Sequence, residues 1–228
     1  MTELRLIGGT ALAEPAPAEA PAPLRLPPGR HGIPADLVRA HQRLRLLDAA
    51  AAALAEQGYG RITAARVTEL AGVSSRTFYQ HFEDLWACLL AAYESKAARL
   101  CQEIEDACAA LVETRGPIAE ADRRGRARAG IAAGIGFLAA EPDAARLLSA
   151  EPPPQIAALS TARRDLIERL GAMLRGVLQT DGATPLPGLE RRLIGAALAL
   201  VSTRAAGGDP QRLRELEPEL TDLLLASI

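Results

Sequence analysis

The stretch VTELAGVSSRTFYQHF, Val67 to Phe82, reads as two short helices joined by a tight turn. Val67, Leu70 and Ala71 recur at i, i+3 and i+4, which gives the first helix one apolar face; Gly72 stands where a helix end favours left-handed backbone. Ser74 is placed to cap the second helix through its hydroxyl, and Val73 before it can staple against Phe78. Phe78 and Phe82 are four apart and face a core, so Ser75, Arg76, Thr77, Tyr79, Gln80 and His81 fall on the other faces. This mix suits duplex DNA: Arg bonds guanine bidentately, Gln bonds adenine, and hydroxyls and a helix N-terminus hold phosphates. On polarity alone, an ordinary solvated helix in a helical hairpin fits equally well.

The wider segment from Gln42 to about Tyr93 separates these readings. RLLDAAAAALAEQGYGRIT, then VTELAGVSSRTFYQHF, then an apolar helix from about Asp84 resemble the N-terminal domain of the tetracycline-repressor (TetR) family of transcriptional regulators. Four features carry the resemblance: Gly58-Tyr59 after the first helix, Thr63 opening the second, the Ala-Gly-Val-Ser turn, and the Tyr-x-His-Phe ending. It implies an all-α chain, with a three-helix helix-turn-helix domain over residues 34–82 and a helical effector-binding and dimerisation domain over 83–228. We assign Arg76 and Ser75 to base edges, Thr63, Thr77, Tyr79 and His81 to phosphates, and Ser74 to cap and phosphate donor. Tyr59 is expected to pack beneath the reading helix. Arg39 and Arg43 lie on a face of the first helix from which they can meet phosphate oxygens. One departure concerns the lysine that family members commonly carry near the start of helix four, in a motif resembling Lys-x-x-Leu. Here Leu85 and Trp86 follow Glu83 and Asp84, whose carboxylates suit capping instead.

Charge is unevenly placed. Between Leu24 and Phe82 eight arginines face four carboxylates, a net of +4, which leaves −6 for the rest of a chain whose total is −2. His31, His41 and His81 also fall in this basic segment, which points to a nucleic-acid partner for that part alone. Lys96 is the sole lysine, and we attach no site to it. Cys88, Cys101 and Cys108 form no Cys-x-x-Cys pair and are read as reduced thiols of a cytoplasmic protein. His81, Glu83 and Asp84 are neighbours on a turn, where side chains diverge, so no metal is expected there. The start has acids and prolines in place of a signal peptide's apolar core, and the longest weakly polar run, AGIAAGIGFLAA, is too short to span a membrane.

Residues 1–33 are rich in Pro, Ala and Gly and read as a mobile tail. Its end, LRLPPGRHGIP, brings Arg25, Arg30 and His31 beside the head; such an arm suits an adjacent minor groove, and equally a solubilising tail. The first helix should start near Pro34 or Ala35 and run to about Gln57, burying Leu37, Ala40, Leu44, Leu47, Ala51 and Leu54. A long helix follows from about Asp84 to Thr114, broken by Gly116-Pro117. The next, Ala121 to about Ala140, holds RRGRAR, read as a solvated start, and Gly130, Gly134 and Gly136, read as sites of close helix packing or ligand room. Helices over about 141–150, 155–179, 187–206 and 210–227 complete the chain. Leu189, Leu193, Leu200, Leu213, Leu220 and Leu223 lie on broad apolar faces of the last two, which in the family pack as a four-helix interface between two copies.

The sequence therefore reads as a homodimeric regulator, a repressor released from a palindromic operator by a small-molecule effector. The aliphatic C-terminal part favours a hydrophobic effector, and no cofactor is expected. A helical ligand-binding or protein-interaction module without DNA binding is the competing class. An enzyme is disfavoured, since Ser-His-Asp spacing, metal-ligand clusters, phosphate loops and paired catalytic carboxylates are all missing from the sequence.

Overall fold

Helix boundaries follow the capping residues closely. A computed structural model describes residues 34–115, 120–178 and 188–225, and among them are ten helices. They are α1 (Ala35–Gln57), α2 (Ala64–Ala71), α3 (Ser75–His81), α4 (Leu85–Arg115), α5 (Glu120–Ala140), α6 (Pro142–Ser149), α7 (Ala157–Leu178), α8 (Leu189–Ala205), α9 (Pro210–Arg214) and α10 (Leu216–Leu225). The basic arm with Arg25, Arg30 and His31, the Gly116-Pro117 break and the TDGATPLP loop lie outside the described residues.

The turn between α2 and α3 is built as its residues dictate. Thr63 Oγ1 accepts from Arg66 N at 3.2 Å and opens α2, while Ser74 Oγ accepts from Thr77 N at 3.0 Å and opens α3. Gly72 closes α2 at φ 60°, its N–H on Glu69 O, and Val73 N reaches Thr68 O at 3.1 Å. The Arg45 guanidinium donates to the carbonyls of Ala71 and Gly72, a cation on the negative end of the helix dipole. A Cβ on Gly72 would come 2.7 Å from Arg45 Nη2, which the flexible guanidinium can relieve by shifting, so it is the left-handed backbone that favours glycine here.

Three expectations need correction. Leu37, Ala40 and Leu44 of α1 are exposed, and burial begins at Leu46, because α2, α4 and α6 cover the C-terminal half of α1. On α2 the buried face is Val67, Thr68 and Ala71. Leu70 lies one residue step, roughly 100°, from Ala71 and stays exposed, and Thr68 goes inside because its hydroxyl donates to Ala65 O at 2.8 Å. The last helix is two pieces meeting at Glu215. Pro218 has no N–H for the Arg214 carbonyl four residues back, and its ring clashes with that carbonyl.

One continuous core runs from Leu46 on α1 through Phe78, Tyr93 and Leu148 to Leu220 on α10. Three cations stitch its helices. Lys96 on α4, itself buried, donates to Asp48 Oδ1 on α1 and to Glu141 Oε2 at the start of α6, both at 2.8 Å. Arg99 pairs with the other oxygen of Glu141 at 2.6 Å. Burial alone would lower the Lys96 pKa, but its two carboxylate hydrogen bonds outweigh that and hold it above the ordinary value. Arg146 on α6 donates to Ala55 O near the end of α1 at 2.8 Å and to Ala205 O at the end of α8 at 3.0 Å. Cys88 and Cys101 are buried, and desolvation pushes the Cys88 thiol up to about 12.

Gly72→Ala should destabilise the fold by about 1–2 kcal/mol, the cost of a Cβ in left-handed backbone, read as a lower urea midpoint at unchanged slope. Lys96→Met, which removes the bonds to Asp48 and Glu141, should cost about 1–3 kcal/mol. Since the folded ammonium's pKa is raised, its contribution is intact below the unfolded value of 10.5 and fades only as pH climbs through the folded one. The wild type and Lys96→Met should therefore differ equally at pH 6 and pH 8 in denaturant melts.

Candidate nucleic-acid interface

A seven-residue helix cannot hold itself in water, so α3 depends on what lies behind it. Phe78 is fully buried and Phe82 nearly so, their ring centroids 5.9 Å apart. Arg43 of α1 stacks its guanidinium 4.7 Å from the Phe82 ring centre, and Arg39 reaches Gln80 O at 3.5 Å. These contacts fix the inner side of α3 and turn its remaining side chains outward.

Ser75, Arg76, Tyr79 and Gln80 are exposed, Tyr79 at 61% with its ring edge-on to Phe78. Arg76 has no ion pair or hydrogen-bond partner among the described residues, whereas Arg66 nearby is held by Glu56 at 2.8 Å and Glu69 at 2.9 Å. Thr77 is half-buried, its hydroxyl 2.9 Å from Ser74 Oγ, so both hydroxyls are prealigned at the start of the helix. Thr63 is exposed at the start of α2. His81 is half-buried, and burial first, then Arg39 and Arg43, lower its pKa, so it stands neutral near pH 7. A neutral imidazole can still donate one N–H to an anion. The positive charges of Arg39 and Arg43 therefore flank the C-terminal end of a helix whose outer side is uncharged except for Arg76.

Tyr59 packs against the same core, and its buried hydroxyl has no partner; desolvation pushes its pKa up to about 12. At the start of α4, Asp84 Oδ1 accepts from Ala87 N at 2.7 Å and caps the helix. Sequence reasoning gave Arg45 no role beyond its charge, because its target carbonyls lie across the fold. Among the described residues no group of three His, Cys, Asp or Glu side chains could hold a metal ion.

A second feature lies away from α3. Helices α4, α5, α7, α8 and α10 line a half-open pocket of about 160 Å³ walled by Leu, Ile, Val, Ala and Met, with the Cys108 thiol and, among the described residues, a single charged side chain, Arg126. Gly130 and Gly134 let α5 approach α4 here: a Cβ on Gly130 would lie 3.1 Å from Cys108 Sγ, and one on Gly134 3.3 Å from Ile104. The RRGRAR run is thus only partly solvated. Arg124 and Arg128 are exposed, but Arg126 turns inward, and the signal was its i, i+4, i+8 spacing with Gly130 and Gly134.

Residues 46–92 match the family model described as bacterial regulatory proteins, tetR family. No curated protein matches the chain in sequence. Among solved structures, the transcriptional regulator FadR from Bacillus subtilis, in complex with stearoyl-CoA, superposes with a TM-score of 0.62 at 18% identity, over 81% of this chain and 98% of that one. FadR from Bacillus halodurans, a fatty acid degradation regulator, gives 0.59 at 15% identity over 81% and 98%. A TetR-family regulator from Mesorhizobium loti gives 0.56 at 20% identity over 83% and 96%. At such identities the likeness is one of fold, and it extends the match of the head over the helices that follow. No helix among the described residues is long and apolar enough to cross a membrane. Residues 46–92 thus form a tetR-type head that presents the exposed α3, on an all-helical body with the fold of solved regulators of that family.

Proposed function

We propose that the chain acts in the cytoplasm as a homodimeric repressor, setting two copies of α3 into successive major grooves of a palindromic operator. The observation that carries this is Arg76, exposed and unpaired among the described residues, on a helix pinned from behind by Phe78 and Phe82. In this reading Arg76 and Ser75 meet base edges. Thr63, Ser74, Thr77, Tyr79, His81 and Arg43 meet phosphates, and Arg25, Arg30 and His31 enter the adjacent minor groove.

Pairing of two copies is favoured by the outer side of α8. Ala196, Ala199, Leu200 and Thr203 are exposed there at helical spacing, and Leu223 of α10 is 42% exposed. Small and aliphatic side chains in such a row suit close packing against another helix. The cavity supplies the effector site, and its aliphatic wall favours a hydrophobic ligand, as in the Bacillus subtilis regulator that holds stearoyl-CoA. Cavity-lining residues sit on both α4 and α8, so a ligand there touches the helix leading to the head and the helix of the pairing face.

Fluorescence anisotropy with DNA flanking the gene tests the reading: one fragment should bind, with affinity falling steeply as salt rises. If every fragment binds alike, or none binds at low salt, the reading fails. Arg76→Ala should weaken the specific complex by about 1–3 kcal/mol, with the melting temperature unchanged. Leu200→Glu should move sedimentation toward the single chain and cost at least about tenfold in operator affinity through lost bivalency.

A further inference from the structure

We infer that the cavity takes an amphiphile with an anionic head, and that the Arg126 guanidinium receives that head. The inference rests on reading the cavity as the effector site. Apart from Arg126 and the Cys108 thiol, the described lining residues are aliphatic, so they favour hydrocarbon elsewhere in the pocket. The Nε of Arg126 is buried without a hydrogen-bond partner, and no ion pair to its guanidinium is formed among the described residues. A guanidinium in that position carries an unmet demand for an acceptor, and a carboxylate or phosphate meets it with charge-assisted, bidentate bonds.

No described residue of the wall offers a carboxylate that could do the same. The neighbouring Cys108 thiol donates to the backbone carbonyl of Arg126 at 3.6 Å, and burial raises its pKa even against the nearby guanidinium. It therefore stays a neutral thiol and, among the described residues, no carboxylate pairs with the Arg126 guanidinium. The same sulfur holds α5 onto α4 at the residue that carries the charge, with Gly130 one turn further on permitting the approach. Arg126 is thus set by backbone packing at the cavity wall. A cavity of about 160 Å³ is close to the roughly 150 Å³ engineered cavity that takes benzene, so the buried part of the ligand is on the order of six to eight carbons.

Calorimetric titration of the full chain with octanoate, octyl phosphate, octanol and octyltrimethylammonium tests this directly. Octanoate or octyl phosphate should bind at least about tenfold more tightly than octanol, and octyltrimethylammonium most weakly; the stronger of the two anions names the head. Arg126→Gln should bring the anions down to the octanol level while octanol binding is unchanged, which shows the cavity intact, and Arg126→Lys should restore part of the preference. Equal binding of octanoate and octanol by the wild type, or anion binding unaffected by Arg126→Gln, overturns the role of Arg126 and leaves the effector site standing. Failure of all four probes to bind overturns the effector site together with it.

Discussion

Everything in the head depends on Phe78. A helix of seven residues gains too little from its own hydrogen bonds to persist, and its outer surface must remain polar and free for a partner. The stabilisation therefore comes from behind, where burying an aromatic ring of this kind is worth about 3 kcal/mol. Capping by Ser74 and the Arg45 bridge to the end of α2 remove the remaining freedom, so that α2 and α3 keep one mutual geometry. A reading helix held this way has already lost its entropy before DNA arrives.

The second constraint is that this head is not separate from the body. Tyr93, Leu89 and Cys88 on α4 belong to the same core as Phe78 and Leu46. Lys96 then fastens α4 to α1 and to the start of α6 at once. Arg146 fastens α6 to the ends of α1 and α8. Carbonyls at helix C-termini are natural partners for a guanidinium, because the dipole leaves them partly negative and unpaired. Through these two side chains the position of α1 is tied to α4, α6 and α8 without any one of those helices touching α3's outer side.

Much of this was legible in the sequence, and the reasons for the failures are physical. The caps Thr63, Gly72 and Ser74, and the buried pair Phe78 and Phe82, follow from local chemistry, which the chain cannot hide. The helix order followed from proline and glycine punctuation. Leu37, Ala40 and Leu44 were misplaced because periodicity identifies an apolar stripe but not how far along a helix its partners reach. The break at Glu215 was missed although Pro218 announced it. Lys96, Arg45 and Arg146 act on groups 26 to 91 residues away in sequence, and no short-range pattern encodes such pairings. Arg126 lay between, readable only once its register with Gly130 and Gly134 was followed around α5.

The spacing along α4 sets how a filled cavity could be felt at the head. Lys96, which holds α1, and Ile104, which lines the cavity, are eight residues apart, roughly 12 Å along a helix. Over that distance a helix moves as a rigid rod, so displacement of Ile104 by a ligand must be absorbed at Lys96 or passed to α1. A ligand that binds one arrangement of these helices more tightly shifts the population toward it, and the coupling needed for regulation is typically about 1–3 kcal/mol. A hydrogen bond from a charged group is worth about 1.5–3 kcal/mol. The two quantities are of the same order. Weakening one of the bonds that Lys96 and Arg146 make would therefore supply a free energy of the size such coupling needs.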